Sequence, residues 1–282
     1  MNTIGKGLLY IGITGALFSC SVERKDEINE LVVSEFQEII DSKNVQGSIL
    51  IYDIPQGLYY SNDYNWASVG RLPASTFKIP NSIIALETAV VSNESTMFPW
   101  NGEPTDYKIW EQDLTFENAF HYSCVPCYQN VARKIGVKRM SSYLQKLEYT
   151  DMKFDSSTID IFWLEGESKI NQFEQIHFLK RFYQSQLKIS DRTERILRKM
   201  MVMEQTENFK LSGKTGLSVR SGKQNGWFVG FMEAKEHTYI FAINIEPTED
   251  TNLEVFPKLR KEITMEALEV LNIQEEAFNL RY

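Results

Sequence analysis

The chain has 282 residues, 43% of them apolar and 24% charged, a composition ordinary for a globular protein of one large or two small domains. A formal net charge of −8 argues against a nucleic-acid partner. No apolar run reaches about 18 residues, which excludes a protein with several membrane spans.

The first twenty residues are typical of an export leader. They hold an early Lys6, an apolar stretch over residues 8–18 and no acidic residue. The stretch ends at Leu17-Phe18-Ser19-Cys20, which resembles a bacterial lipoprotein signal with Cys20 as the lipidated residue; the alternative is an ordinary cleaved signal peptide with a bystander cysteine. We predict a leader over residues 1–20 and a periplasmic protein whose only membrane contact is this lipid anchor.

The next part of the chain predicts a helix followed by two strands. Apolar residues recur at helical spacing from Glu27 to Asp41. Gly47–Tyr52 is typical of a strand, and a turn at residues 54–57 separates it from a second strand, Leu58–Tyr60.

The rest of the chain is first helical and then returns to strands. From Ser75 to about Met203 the apolar pattern is mostly helical, with loops near residues 92–106 and 151–158. A final helix is predicted over Lys258–Leu271. Between these parts the sequence predicts three strands and two turns: strands Gly213–Leu217, Trp227–Phe231 and Tyr239–Ile243, with turns at Asn225-Gly226 and Lys235–His237.

This order of elements predicts an α+β fold. The two ends of the chain build one central antiparallel sheet flanked by helices, and the middle inserts as a mainly helical lobe. We place the sheet lobe at about residues 27–72 and 205–282 and the helical lobe at about 73–204, within a single domain over 21–282. A cleft between the two lobes is where a ligand site is expected.

The most informative motif is Ser75-Thr76-Phe77-Lys78, at a predicted helix start. Three residues are nearly one helical turn, so the hydroxyl and the amine share a face. A serine becomes a nucleophile when a nearby base takes its proton, and a lysine is such a base only where burial removes its charge. A second copy, Ser185-Gln186-Leu187-Lys188, lies in a charged, Gln-rich helical pattern and is interpreted as a solvated helix face.

Three further motifs follow Ser75 in chain order: Ser123-Cys124-Val125, Phe162–Gly166 and Lys214-Thr215-Gly216. A Ser-x-x-Lys pair followed by Lys-Thr-Gly marks serine β-lactamases and penicillin-binding proteins. From about Glu30 to Leu271 the sequence resembles the class D (oxacillinase-type) β-lactamases. The resemblance also includes the segments 110–114, 242–245 and 258–260.

The resemblance implies hydrolysis of the β-lactam ring of penicillin-type antibiotics through a serine acyl-enzyme, which gives antibiotic resistance. Ser75 would attack the ring carbonyl, and the backbone N–H groups of Ser75 and Leu217 would hold the oxyanion. Lys78, carbamylated by CO2 or bicarbonate to N6-carboxylysine, would be the general base, with the Trp163 indole N–H as its donor. No metal and no other cofactor is implied.

The resemblance also assigns the rest of the site. Ser123 and Lys214 would pass a proton to the lactam nitrogen. Lys214 and Arg260 would hold the drug's carboxylate, Thr215 would add a hydroxyl, and Gly216 would also bind substrate. Trp110 would line the mouth of the cleft, and Val125 and Leu164 would keep the pocket dry. Each assignment has a structural alternative: a core position for the two tryptophans, a helix-interior hydroxyl for Ser123, and a solvated helix face for Arg260.

Two features depart from the family or add to it. Tyr149-Thr150-Asp151 stands where the family has Tyr-Gly-Asn, which leaves the substrate range, carbapenems included, open. Cys124 and Cys127 are interpreted as two small buried residues, although a disulfide is allowed in an exported protein. The three histidines have no metal-ligand spacing.

Two other functions remain alternatives to the enzyme. The chain could be a β-lactam-sensing receptor domain or a small penicillin-binding protein, and both of these stay acylated. In each case the partner is a small β-lactam molecule, and the protein is expected to be a monomer or a homodimer.

Overall fold

The computed structural model describes residues 29–220, 222–235 and 237–279. The predicted leader, the lipidation site Cys20 and the predicted helix start at Glu27 lie outside the described residues. The limits proposed for the leader, the domain and its two lobes stay predictions.

A large sheet forms the centre of the fold. The strands of the described chain are β1 (Asn29–Val32), β2 (Val45–Asp53), β3 (Leu58–Ser61), β4 (Met97–Phe98), β5 (Leu114–Thr115), β6 (Val202–Gln205), β7 (Phe209–Arg220), β8 (Lys223–Ala234) and β9 (His237–Pro247). Strands β4 and β5 pair with each other, and the other seven form a sheet in the order β1-β3-β2-β9-β8-β7-β6. Among the strands of the described residues, only β1 and β3 pair in parallel. Because β2 pairs with β9, the two ends of the chain build one antiparallel sheet, and the predicted fold class is confirmed.

Helices fill the middle of the chain and flank the sheet. They are α1 (Ser34–Ser42), α2 (Tyr64–Ala67), α3 (Lys78–Glu87), α4 (Phe116–His121), α5 (Val125–Ile135), α6 (Val137–Leu147), α7 (Gln172–Tyr183), α8 (Asp191–Met201) and α9 (Phe256–Asn279), with 3₁₀ helices at Ala74–Phe77 and Lys108–Trp110. The side chains of Thr115, Asn171 and Ser190 cap α4, α7 and α8, and so define where these helices begin.

Two apolar cores cover the two faces of the sheet. One lies under α1 and α9 and includes Phe36 and Ile263. The other lies between the sheet and the helical part and includes Phe77 and Trp163. Because both faces are covered, β9 is buried continuously from Tyr239 to Ile245 rather than at alternate residues.

Two local predictions are wrong. The segment predicted to begin the first helix contains β1, and α1 starts only at Ser34; the partner strand β3 lies far along the chain, so local apolar spacing could not reveal the pairing. Asn225-Gly226 is not a turn but lies inside β8, where Gly226 pairs with Leu217 of β7. A Cβ on Gly226 would lie 2.8 Å from Cδ of Arg260, so the glycine makes room for that side chain.

The 3₁₀ helix Ala74–Phe77 packs closely against β7. A Cβ on Gly216 would lie only 3.1 Å from Cγ2 of Thr76, so a larger residue there would crowd the 3₁₀ helix. The indole of Trp227 on β8 donates a hydrogen bond to the carbonyl of Leu72 at 2.9 Å. The sheet therefore holds the Ser-x-x-Lys segment from both β7 and β8.

Candidate active site

Ser75 and Lys78 form a buried hydroxyl–amine pair. Ser75 lies in the 3₁₀ helix and Lys78 is the first residue of α3, which brings Lys78 Nζ to 3.1 Å from Ser75 Oγ. Lys78 is only 1% exposed, and burial lowers the pKa of its amine to about 7. At neutral pH a large fraction of this amine is uncharged, and an uncharged amine can take up a proton or react with CO2.

The residue before Ser75 has an unusual backbone. Ala74 has a φ of 49°, in the left-handed region that residues other than glycine rarely adopt. Such a conformation costs about 1–2 kcal/mol and persists where surrounding contacts hold it. One such contact is the N–H of Ala74, which donates to the carbonyl of Trp163 at 2.9 Å. The turn that presents Ser75 is thereby tied to the segment that carries Trp163.

Trp163 is fully buried beside this pair. Its ring stacks on Phe77, the neighbour of Lys78, with centroids 5.5 Å apart and planes inclined by 16°. Among the described residues its indole N–H has no hydrogen-bond partner. Buried donors are almost always paired, so this N–H is suited to an acceptor such as a carboxylate.

Ser123 and Lys214 form a second hydroxyl–amine pair across the cleft. Lys214 of β7 is 3% exposed and donates to Ser123 Oγ and, at 3.1 Å, to the carbonyl of Thr215. The pKa of the Lys214 amine lies well below its ordinary value, mainly because of burial and further because of the nearby cations Lys78 and Arg260. Its proton is therefore easier to give up than that of a surface lysine.

Arg260 reaches this site from α9. It is buried, and its guanidinium donates to the carbonyl of Gly216 and twice to that of Pro257, at 2.9 and 2.7 Å. Burial lowers its pKa to about 10, so the group stays cationic at neutral pH. These bonds use three of its five N–H donors.

These groups surround a cavity of about 370 Å³, large enough for a small ligand. Lys78, Trp163 and Lys214 are buried deeper, and Gly216 packs on the 3₁₀ helix. The cavity is lined by most of the residues that the sequence predicted: Ser75, Trp110, Ser123, Val125, Leu164, Thr215, Leu217 and Arg260.

Comparison with known proteins finds relatives of this chain both in sequence and in fold. The penicillin-binding protein transpeptidase domain family matches residues 33–265. The chain is 38% identical over 224 residues to β-lactamase OXA-48 of Klebsiella pneumoniae, covering 79% of this chain and 82% of that protein. It is 39% identical over 212 residues to OXA-10 of Pseudomonas aeruginosa, covering 74% and 78%. The crystal structure of the class D β-lactamase YbXI from Nostoc superimposes with a TM-score of 0.80 at 37% identity, covering 84% and 98%.

The chain belongs to the class D β-lactamases. The resemblance inferred from the four motifs is confirmed. The protein is therefore a hydrolase that opens the β-lactam amide bond, the reaction on which resistance to these antibiotics rests.

The structure decides several of the structural alternatives for this β-lactamase. Ser123 is not inside a helix but joins α4 to α5, with a φ of 54°. Arg260 is buried rather than on a solvated face. Trp163 is fully buried, which is compatible both with a core position and with the predicted donor role. Trp110 is buried, donates to the carbonyl of Tyr122 at 2.9 Å and also lines the cavity.

Five residues of the cavity wall were missed: Tyr107, Ile109, Tyr122, Val219 and Pro257. The first four are exposed, which places them at the mouth of the cavity. In the sequence these residues are marked only as large apolar side chains close to the predicted site motifs. Because single exposed apolar residues are common on protein surfaces, that signal could not separate a cavity rim from ordinary surface.

Cys124 and Cys127 form a disulfide, so their interpretation as two unlinked buried residues is wrong. Cys124 is the N-cap of α5 and Cys127 lies in the first turn of that helix. The turn brings their Cα atoms to 5.4 Å, a separation that a disulfide can bridge.

The altered segment Tyr149-Thr150-Asp151 lies away from the cavity wall. Tyr149 is buried, with its ring 6.0 Å from that of Phe77 and 5.2 Å from that of Phe178. Of this segment, the Tyr149 ring packs against Phe77, the residue next to Lys78. Its effect on substrate range stays a prediction.

The second Ser-x-x-Lys motif takes no part in the site. Ser185 follows the end of α7 in a turn with a φ of 56°, and not on the helix face that was predicted. Across the described ranges no group of three or more His, Cys, Asp or Glu residues could hold a metal ion. The helices described there are too short or too polar to span a membrane.

Proposed function

We propose that Ser75 attacks the carbonyl of the β-lactam ring and carries the opened drug as an ester until water releases it. The observation that carries this proposal is the buried Ser75–Lys78 pair at 3.1 Å, whose amine has a pKa of about 7. A cationic lysine cannot take the serine proton, whereas a neutral one can. Ser75 also lines the cavity, where a ligand can reach its hydroxyl.

Lys78 works as the general base in its carbamylated form, N6-carboxylysine. Carbamylation by CO2 or bicarbonate needs a neutral amine, which burial provides. It supplies a carboxylate that can accept protons, and a buried carboxylate needs hydrogen-bond donors. The Trp163 N–H, without a partner among the described residues, fits that need.

Ser123 and Lys214 pass a proton to the ring nitrogen as the amide bond breaks. The hydrogen bond from Lys214 to Ser123 and the lowered pKa of the Lys214 amine support this path. The backbone N–H groups of Ser75 and Leu217 stabilise the oxyanion.

The drug is held through its carboxylate and its apolar body. Arg260, Lys214 and the strand segment Thr215-Gly216 bind the carboxylate, since Arg260 is a buried cation at the cavity wall. Leu164 lines the wall together with Val125 and Trp110, which makes that side apolar and keeps bulk water away from Lys78.

Counting turnovers with the chromogenic β-lactam nitrocefin tests this function. We expect many nitrocefin molecules to be hydrolysed per protein molecule. A burst of one product per protein, followed by a persistent adduct, would instead favour the receptor domain or the penicillin-binding protein. The Ser75→Ala variant is the control and should show neither turnover nor burst.

We also propose that Cys20 is lipidated and anchors the enzyme to the bacterial membrane on its periplasmic side. The proposal rests on Leu17-Phe18-Ser19-Cys20 after an apolar stretch. Cys20→Ala, or treatment with the lipoprotein signal-peptidase inhibitor globomycin, should change the fraction in which activity is recovered. Activity that stays in the same fraction after both treatments would contradict lipidation.

A further inference from the structure

Ser123 and Val125 are two residues of the cavity wall. The disulfide between Cys124 and Cys127 begins at the residue after Ser123, and Val125 lies between the two cysteines. Ser123 has a left-handed φ of 54°, although it is not glycine. The backbone of this connection is held by Ser123 N–H to the carbonyl of Phe120 at 3.2 Å and by the next N–H, of Cys124, to a carbonyl of α4 at 2.9 Å. Such a backbone persists only where its surroundings keep it in place.

The disulfide supplies a further constraint on the C-terminal side of Ser123. Cys124 ends the turn and caps α5, and its Sγ accepts the N–H of Cys127 at 3.2 Å. The covalent link holds this N-cap residue to the first turn of a helix that is itself packed into the core through Tyr128 and Val131. The orientation of Ser123 is thereby tied to the body of α5.

We propose that this disulfide is a positioning element for the proton relay, holding Ser123 Oγ at the Lys214 amine. The proposal rests on the role proposed above for Ser123 and Lys214. A relay that delivers a proton to the ring nitrogen acts while the ring opens, not while water releases the ester. Breaking the disulfide should therefore slow acylation of Ser75 and leave deacylation nearly unchanged.

The matched variant is Cys124→Ser/Cys127→Ser, because a serine at the N-cap still accepts a hydrogen bond from the helix while the covalent link is gone. Acylation is followed by stopped flow and deacylation by single turnover, each per active site counted by mass spectrometry of the Ser75 adduct. We expect acylation to fall about tenfold, a modest part of what general acid–base catalysis contributes. The number of active sites should not change.

Reduction of the unaltered protein provides the second measurement. Dithiothreitol gives two electrons and two protons to the protein disulfide, which becomes two thiols. The dithiothreitol is itself oxidised to a cyclic disulfide. Acylation should fall to the rate of the double variant and recover after reoxidation. The double variant keeps Cys20, so its expected indifference to dithiothreitol also controls for that third cysteine.

Two outcomes would overturn the proposal. One is an acylation rate equal to that of the unaltered protein once mass spectrometry shows the disulfide broken. The other is an equal loss in acylation and deacylation with a lower melting temperature, which indicates a purely structural link. The Ser123→Ala variant distinguishes a failure of this disulfide proposal from a failure of the proton relay on which it rests. If Ser123→Ala is acylated at the full rate, the relay itself is refuted.

Discussion

The chain contains the pattern Ser-x-x-Lys twice, in two very different settings. Ser75 and Lys78 are buried where a 3₁₀ helix runs into α3, with the amine 3.1 Å from the hydroxyl. Ser185 and Lys188 are exposed after the end of α7. There the serine hydroxyl donates to a carboxylate oxygen of Glu194 at 2.6 Å.

The comparison teaches that spacing alone does not make a nucleophile. In the first copy the pair is buried, with Phe77 and Trp163 stacked beside it, and burial lowers the pKa of the Lys78 amine to about 7. In the second copy the side chains remain in solvent, and the serine serves as a local hydrogen-bond donor. The chemistry belongs to the enclosed site rather than to the motif.

The largest difference between the two copies is expected when each serine is replaced in turn. Ser75→Ala removes the proposed nucleophile, and we expect turnover of nitrocefin to fall at least about 10³-fold, as for other covalent catalysts. Ser185→Ala removes an exposed hydroxyl and should leave turnover unchanged. Mass spectrometry of protein trapped with a penicillin should locate the adduct on Ser75, and an adduct on Ser185 would refute the assignment.

Replacing the two lysines should give the next largest effect. Lys78→Ala removes the proposed base, so turnover should fall about 10²- to 10⁴-fold, the usual contribution of such a group. Any acyl-enzyme that forms should persist for hours in the mass spectrometer assay. Lys188→Ala is the matched control and should behave like the unaltered enzyme; a comparable loss there would contradict the comparison.

A smaller change tests what encloses the first copy. Trp163→Phe keeps an aromatic ring for the stack on Phe77 but removes the indole N–H. If this donor holds the carbamylated Lys78, deacylation should slow about ten- to a hundredfold and more than acylation does. Labelled bicarbonate should show a lower carbamate occupancy by NMR. Equal occupancy and unchanged deacylation would rule this role out.

Much of this site could be predicted because its chemistry is carried by short local motifs. Ser75, Lys78 and Lys214 belong to the motifs Ser-x-x-Lys and Lys-Thr-Gly, whose residue types indicate nucleophilic catalysis by a serine. The sheet order was predictable in outline because strands β7, β8 and β9 follow one another with short connections. The parallel pairing of β1 was not, since its partner lies beyond α1 and β2.

Other parts of the site depend on tertiary contacts that no local pattern contains. Gly226 resembles a turn residue in sequence, yet it lies within β8, where it pairs with β7 and leaves space for Arg260 of a distant helix. The exposed rim residues Tyr107 and Val219 become a site only when separate elements meet. The sequence did not predict the bond between Cys124 and Cys127, because their spacing suits two free thiols as well as a disulfide.

The smallest expected effect is that of pH on kcat, which tests the charge of the Lys78 amine in the first Ser-x-x-Lys copy. Burial lowers the pKa of Lys78 to about 7, so below that pH its amine gains a proton and can neither react with CO2 nor serve as a base. In buffer depleted of CO2, kcat should fall about tenfold between pH 8 and pH 6, following the neutral fraction of such an amine.

Bicarbonate decides whether Lys78 is the group that titrates. The pKa of Lys214 is lowered as well, so a pH profile by itself does not separate the two amines. Only carbamylation of Lys78 predicts that added bicarbonate restores kcat on the acidic side. Carbamate formation consumes the neutral amine, so more of the protonated lysine then loses its proton. The Ser185→Ala/Lys188→Ala variant should follow the same curve. Acid-side activity that ignores bicarbonate, together with an unmodified Lys78 in a structure determined at neutral pH, would contradict the carbamate mechanism.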